Sequence, residues 1–192
     1  MSELLDQIYQ AEIKFTQAQE ELARLRALVS PEVVDDYAFP ILGGRTLGLS
    51  ELFGGGQDLI LVHNMGRKCP SCTMWADEYN GVLQHLESRA AFVVSSPDLP
   101  EVQAEFAKER GWNFQMVSVD GTNFAHDMGF HTTEGSCPGY QPGVSTFRKH
   151  DDGSITRIGQ AFYGPGDVFS SVWHYFGMLQ DGVGDWDCKF KY

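Results

Sequence analysis

The stretch that most constrains the fold is LILVHNMGRKCPSCTMWADEY, residues 59–79. Leu59 to Val62 is an unbroken apolar run between polar residues, the pattern of a strand buried on both faces. A short loop follows, then Cys69-Pro-Ser-Cys72. From Thr73 to Arg89, Trp75, Tyr79, Val82, Leu83 and Leu86 recur at helical spacing. A buried strand that feeds a helix through a short loop is the opening of an α/β layer structure.

The rest of the chain continues the alternation. Ala91 to Ser95 reads as a second buried strand. Ser96 or Asp98 can cap a helix through Val102 and Phe106 to about Arg110, with Gly111 as its stop. Phe114 to Val119 reads as a third strand. Val144–Arg148 and Ile155–Ala161 flank Asp152-Gly153, a strong hairpin signal. Val168 to Leu179 reads as a last helix, and the tail DGVGDWDCKFKY has no clear period. Ahead of the central strand, Tyr37 and Phe39 suggest a short strand and Gly43-Gly44 a turn. Ser50 suggests the cap of a turn over Glu51, Leu52 and Phe53. This order predicts a parallel sheet with right-handed crossovers, closed at one side by an antiparallel hairpin.

Residues 1–30 stand apart. Leu4, Ile8, Ala11, Phe15, Ala18, Leu22, Leu25 and Val29 form an a/d stripe over four heptads, ended by Ser30-Pro31. Such a helix lies across its own domain or pairs with another subunit. The expected division is a helix over 1–30, a domain over 31–182 and a tail over 183–192.

Composition excludes several functions. Net charge is −12, which argues against nucleic acid or an anionic membrane as partner. No apolar run approaches the roughly 18 residues of a membrane span. The N-terminus MSELLDQIYQAEIKF lacks the basic and apolar regions of a signal peptide. The expected location is therefore the cytoplasm, where a CxxC is more often catalytic or metal-binding than structural.

Cys69 is expected at the cap of the helix, with Pro70 at the first helical position, where its missing N–H costs nothing. Unpaired backbone N–H groups, the positive end of the helix dipole and the adjacent Arg67 and Lys68 all favour a thiolate at Cys69. Cys72 lies one turn on, within reach of Cys69. Cys69 would attack a disulfide and Cys72 would resolve the mixed disulfide. A metal site is the alternative, with His126, His131 and Cys137 of the long loop 120–142 as further ligands, although no second CxxC or HxxxH exists. Cys137 is also a candidate third redox cysteine. Cys188 is a candidate resolving thiol for a neighbouring subunit, or a packed tail thiol.

These motifs carry a resemblance. ILVHNMGRKCPSC is similar to the strand, loop and dithiol of the thioredoxin superfamily, over about Tyr37 to Leu179. The lead-in DDYAFPILGGRTLGLSELFGGG resembles the peroxiredoxin branch. GLSELF, CPSCTMWAD, Gly111-Trp112 and PGVS (142–145) together resemble a bacterial thioredoxin-like family of unknown function. The resemblance implies a thioredoxin-like α/β fold, a central mixed sheet flanked by helices, with an added long N-terminal helix. It implies thiol–disulfide oxidoreductase chemistry with no organic cofactor, a disulfide or peroxide as substrate and a reductase or small thiol as partner. It also places His63 where the superfamily has a proton-relaying acid, and Pro142 where it has a cis-proline beside the dithiol. The peroxiredoxin pattern P-x-x-x-T-x-x-C is absent: Gly66 and Val62 stand where Cys69 would need threonine and proline, Cys69 and Met65 where Cys72 would.

Overall fold

A computed structural model describes residues 3–134 and 138–192. The chain forms α1 (Glu3–Arg26), β1 (Glu32–Val34), β2 (Ala38–Ile41), β3 (Arg45–Gly48), β4 (Asp58–His63), α2 (Pro70–Glu87), β5 (Ala91–Ser96) and α3 (Pro100–Arg110). It continues through β6 (Gln115–Ser118), α4 (Phe124–Asp127), β7 (His131–Thr132), β8 (Gly139–Tyr140), β9 (Gly143–Lys149), β10 (Ile155–Phe162) and α5 (Ser171–Phe176). The main sheet has the order β1-β10-β9-β4-β5-β6. β4, β5 and β6 run parallel, joined by α2 and α3, while β9, β10 and β1 add antiparallel strands beyond β4. This is the expected thioredoxin-like fold, with the long helix added in front.

Strand parity divides the core. Leu59 and Leu61 of β4 and Val93 of β5 face one side, with Phe39, Phe53, Phe124, Phe130 and Phe147. Val62, Phe92 and Val94 face the other, with Cys72, Trp75, Tyr79, Leu83, Phe106 and Trp112 from the helical layer. Successive side chains of a strand point to opposite faces, so a strand covered on both faces needs the continuous apolar run seen in the sequence. Trp75 and Tyr79 are core, as expected, and Trp173 packs at its margin.

Local chemistry moves some boundaries. The turn after β3 covers Leu49–Glu51 and starts earlier than expected. The Glu51 carboxylate takes the Gly48 N–H at 2.7 Å, and the Ser50 hydroxyl is spent on Asp36 at 2.6 Å instead of capping. The last helix shrinks to six residues. Glu78 on α2 takes the Ser170 hydroxyl at 2.6 Å and the Ser171 N–H at 3.1 Å, while Asp167 holds Gly164 and Phe169 in a turn. Gly153 adopts φ 87° in the β9–β10 turn. The loop after β6 is pinned by Phe124 and Phe130, both fully buried.

None of the α1 residues is buried. Phe15 meets the His174 ring at 6.4 Å, yet the stripe stays open, with Leu4 64% and Phe15 50% exposed. The domain does not cover this helix.

Candidate functional site

Cys69 caps α2 as expected. Its backbone is extended, Pro70 opens the helix, and the Cys72 N–H donates to the Cys69 sulfur at 3.1 Å. The Cys69 carbonyl accepts from the Thr73 N–H at 3.1 Å and the Thr73 hydroxyl at 3.0 Å. Cys69 is half-buried, while Cys72 is 2% exposed. The sulfur of Cys72 accepts weakly from the Met65 N–H at 3.5 Å.

The loop between β4 and α2 is held by two polar residues. Buried Asn64 accepts from the Gly66 N–H at 2.7 Å and donates to the Cys72 carbonyl at 3.3 Å. Asp98, across the sheet end, accepts from the Arg67 N–H at 2.7 Å. Gly66 has φ 95°, and a Cβ there would lie 2.8 Å from the Asp98 carboxylate. Only glycine gives this backbone and this close approach at low cost. The latch sets the position from which Cys69 enters the helix.

The two thiols are pushed in opposite directions. The hydrogen bond from the Cys72 side chain is the main force lowering the Cys69 pKa, to about 7, helped by the Cys72 and Ser71 N–H groups and opposed by burial. The same thiol–thiol bond, then burial, then the charge on Cys69 push the Cys72 pKa well up. The expected help from basic neighbours does not carry this effect. Arg67 instead faces Glu105 at 3.4 Å and lies 5.5 Å over the Phe106 ring.

His63 is not brought to the dithiol. It shares the face of Leu59 and Leu61, opposite the α2 layer that holds Cys72. There it stacks on Phe130 at 3.8 Å and 8°, and its Nε2 lies 2.9 Å from the Ser145 hydroxyl. Burial, then the Arg157 charge, hold its pKa at about 3. The expected proton relay near neutral pH is therefore corrected: His63 is a neutral core residue.

Pro142 does flank the strand end, one residue before the Gly143–His63 pair. Among the described residues no peptide bond is cis, so the expected cis Gln141–Pro142 bond is corrected to trans. The chain runs from β8 into β9, with the Gln141 N–H on the Phe130 carbonyl at 2.8 Å and the Pro142 carbonyl on the Tyr163 N–H at 2.9 Å. A proline that opens a strand leaves no ladder donor missing. Gly143 leaves room for what packs there, since a Cβ would lie 2.4 Å from the Phe130 ring.

The loop histidines do not join the cysteines. His126 sits 3.1 Å from Asp127, and His131 stacks on Tyr140 at 4.2 Å. Among the described residues no three His, Cys, Asp or Glu side chains form a metal-holding group. Cys137 lies outside the described residues. Among the described residues no helix is long and apolar enough to cross a membrane.

Sequence reasoning did not find Asn64 or Asp98 as parts of the site, nor Cys188 beside it. Cys188 is 6% exposed and its sulfur lies 3.6 Å from the Met74 sulfur on α2. Only the cysteine itself was a signal, since nothing local places the tail.

The fold is shared with solved structures at low identity. Reduced Prx3 in complex with H2O2 from Vibrio vulnificus aligns with a TM-score of 0.58 at 14% identity, over 73% of this chain and 91% of that one. The bacterioferritin comigratory protein of Xanthomonas campestris aligns at 0.54 and 14%, over 66% and 80%. Peroxidoxin BcpB from Mycobacterium tuberculosis aligns at 0.51 and 22%, over 66% and 81%. A search of curated proteins gave no match. A family profile described as bacterial protein of unknown function (DUF899) matches residues 2–186, and the chain belongs to that family.

Proposed function

We propose that the protein is a thiol–disulfide oxidoreductase, with Cys69 as nucleophile and Cys72 as resolving thiol. The carrying observation is that the Cys72 N–H donates to the Cys69 sulfur at 3.1 Å at the start of α2, with Cys69 half-buried and Cys72 enclosed. A thiolate with a pKa about 7 is both populated and nucleophilic near neutral pH. Cys69 attacks one sulfur of a substrate disulfide and the other leaves as thiolate. Cys72 then attacks the Cys69 sulfur, releasing the second substrate thiolate and leaving a Cys69–Cys72 disulfide. A reductase or small thiol returns the pair to the dithiol. Pro142 stands beside the strand end and is assigned the wall of the substrate approach.

Peroxide is the second substrate class. The fold relatives named above include a protein solved with H2O2, and a low-pKa thiolate attacks peroxide. The residues that would orient peroxide by the P-x-x-x-T-x-x-C pattern are missing around both cysteines, so the disulfide reading leads.

The test is redox equilibration in graded thiol–disulfide buffers, alkylation and mass mapping. The expected result is a cooperative two-electron transition linking Cys69 to Cys72, with a midpoint between roughly −120 and −270 mV. Two thiols that stay separately alkylatable at every potential would overturn the assignment.

The N-terminal helix is assigned to self-association. A helix of 24 residues spans ~36 Å, and most helical stability comes from packing an apolar face. Here the domain buries none of it. A second copy of the same stripe is the simplest cover. Light scattering is expected to give twice the chain mass for the full protein and the single mass after deletion of residues 1–27, with the domain still folded. A monomeric full chain at micromolar concentration would reject the assignment.

A further inference from the structure

The turn between β4 and α2 is braced from within. Asn64 is the first residue past β4, its N–H on the Ser95 carbonyl at 2.9 Å, and it is buried. Its side chain is used at both ends. The amide oxygen takes the Gly66 N–H at 2.7 Å, which closes an Asx turn over residues 64–66. The amide nitrogen reaches across to the Cys72 carbonyl at 3.3 Å, which ties that turn to α2 at the second cysteine. Met65 lies inside this bracket, and its N–H points at the Cys72 sulfur at 3.5 Å. An amide buried here is satisfied only while loop and helix both keep their places.

The resolving step needs a donor at that sulfur. Only a thiolate attacks, and Cys72 is 2% exposed, where burial disfavours charge. In the free dithiol the bond to Cys69, then burial, then the Cys69 charge hold the proton on Cys72, against the Met65 N–H. In the mixed disulfide Cys69 is bonded to substrate and uncharged, so the first and third of these are gone. Burial then stands against the thiolate and the Met65 N–H in its favour.

We propose that Asn64 is a positioning residue for the second half of the reaction: by bracing the turn against the Cys72 carbonyl it aims the Met65 N–H at the Cys72 sulfur and so stabilises that sulfur as a thiolate. This rests on the oxidoreductase reading of the pair. In the forward step the Cys72 proton passes to solvent and the Cys69–Cys72 bond forms. The bond from Cys69 to substrate breaks, and the substrate thiolate leaves with the electron pair. The oxidant is the substrate disulfide itself. In the return step a reductant thiolate attacks the Cys69 sulfur, and Cys72 leaves as a thiolate under the same N–H. One donor therefore serves Cys72 both as attacking and as leaving group.

The experiment mixes the reduced full chain with the disulfide dithiobis(nitrobenzoate) at pH values from 7 to 10. Samples are quenched in acid at intervals, digested and mapped by mass spectrometry. Two rates are read: formation of the Cys69–nitrobenzoate adduct, and its conversion to Cys69–Cys72. In Asn64→Ala the first rate is expected to hold, because Asp98 still fixes Arg67 and the Cys72 N–H still bonds to Cys69. Conversion is expected to inflect about one pH unit higher, which lowers the Cys72 thiolate fraction about tenfold below the inflection. The more basic thiolate is the better nucleophile and returns about threefold of this, for a net slowing at pH 7 of about threefold. The gap should close towards pH 10. Asn64→Ser, which can keep the turn to Gly66 but does not reach the Cys72 carbonyl, should shift in the same direction, and it alone decides should Asn64→Ala not fold. Equal slowing of both rates, a conversion slowed by the same factor at every pH, or an unchanged conversion overturns the assignment. A wild type that converts normally beside such a variant leaves the oxidoreductase reading standing. A wild type that never converts its adduct to Cys69–Cys72 sinks both.

Discussion

Cys69→Ser is expected to abolish disulfide reduction while leaving the fold intact. Serine is among the preferred helix caps, so its oxygen replaces sulfur as acceptor for the Cys72 N–H that now bonds at 3.1 Å. Thermal stability should change by less than ~1 kcal/mol. Its hydroxyl stays protonated near neutral pH without a general base, so the nucleophile is gone. Cys72→Ala should act differently. It leaves Cys69 able to attack once, and mixed disulfide then accumulates because nothing resolves it. It also removes the side-chain bond that most lowers the Cys69 pKa. The rate of Cys69 alkylation against pH, with an inflection near 7 in the wild type, should therefore inflect at higher pH in Cys72→Ala. An inflection that does not move would mean that the helix end, and not the second thiol, sets the reactivity. Turnover that survives Cys69→Ser would place the nucleophile elsewhere.

The cap, the proline after it and the buried strand before it were legible because each is a local rule. Cys69, Pro70 and Cys72 settle their geometry within four residues. The contacts that complete the site are not local. Asp98 holds the Arg67 N–H from 31 residues away, and Cys188 reaches Met74 across 114. Asp98 read naturally as a helix cap, and its carboxylate was claimed by the loop instead. His63 shows a different failure. Its position in the motif suggested a relay, and strand parity put it with Leu59 and Leu61. A single strand does not say which of its faces will meet the helix that carries Cys72. The stripe of α1 was legible as a helix, although the helix ends at Arg26, short of Val29; but a stripe does not say what covers it, and the domain leaves it open. The final helix failed through competition: the hydroxyl of Ser170 found Glu78, which no sequence window around it contains.

His63 gives the fold an acid sensitivity that is separable from the dithiol. Its native pKa is about 3, against about 6.5 for an unperturbed histidine. Between these values the unfolded chain holds one proton more than the native one, so stability falls as pH falls. The slope from this group is about 1.4 kcal/mol per pH unit. It vanishes above pH 6.5, where both states are neutral. The pairing explains why the ring tolerates burial only as the neutral form. Nε2 shares a hydrogen bond with the Ser145 hydroxyl, while Nδ1 has no partner among the described residues. Protonating Nδ1 would strand a charged N–H between the Phe130 and Phe124 rings, a costly state in an apolar site. The double variant His63→Phe/Ser145→Ala removes both polar partners together, which avoids leaving one unpaired. Urea unfolding at pH 7.5, 6.0 and 5.0 is the measurement. The wild type is expected to lose about 1 kcal/mol or more relative to the variant between pH 6.0 and 5.0, above the range in which ordinary carboxylates titrate. Parallel declines in the two proteins would show that His63 takes up its proton in the native state, and the stacked, neutral assignment would fall.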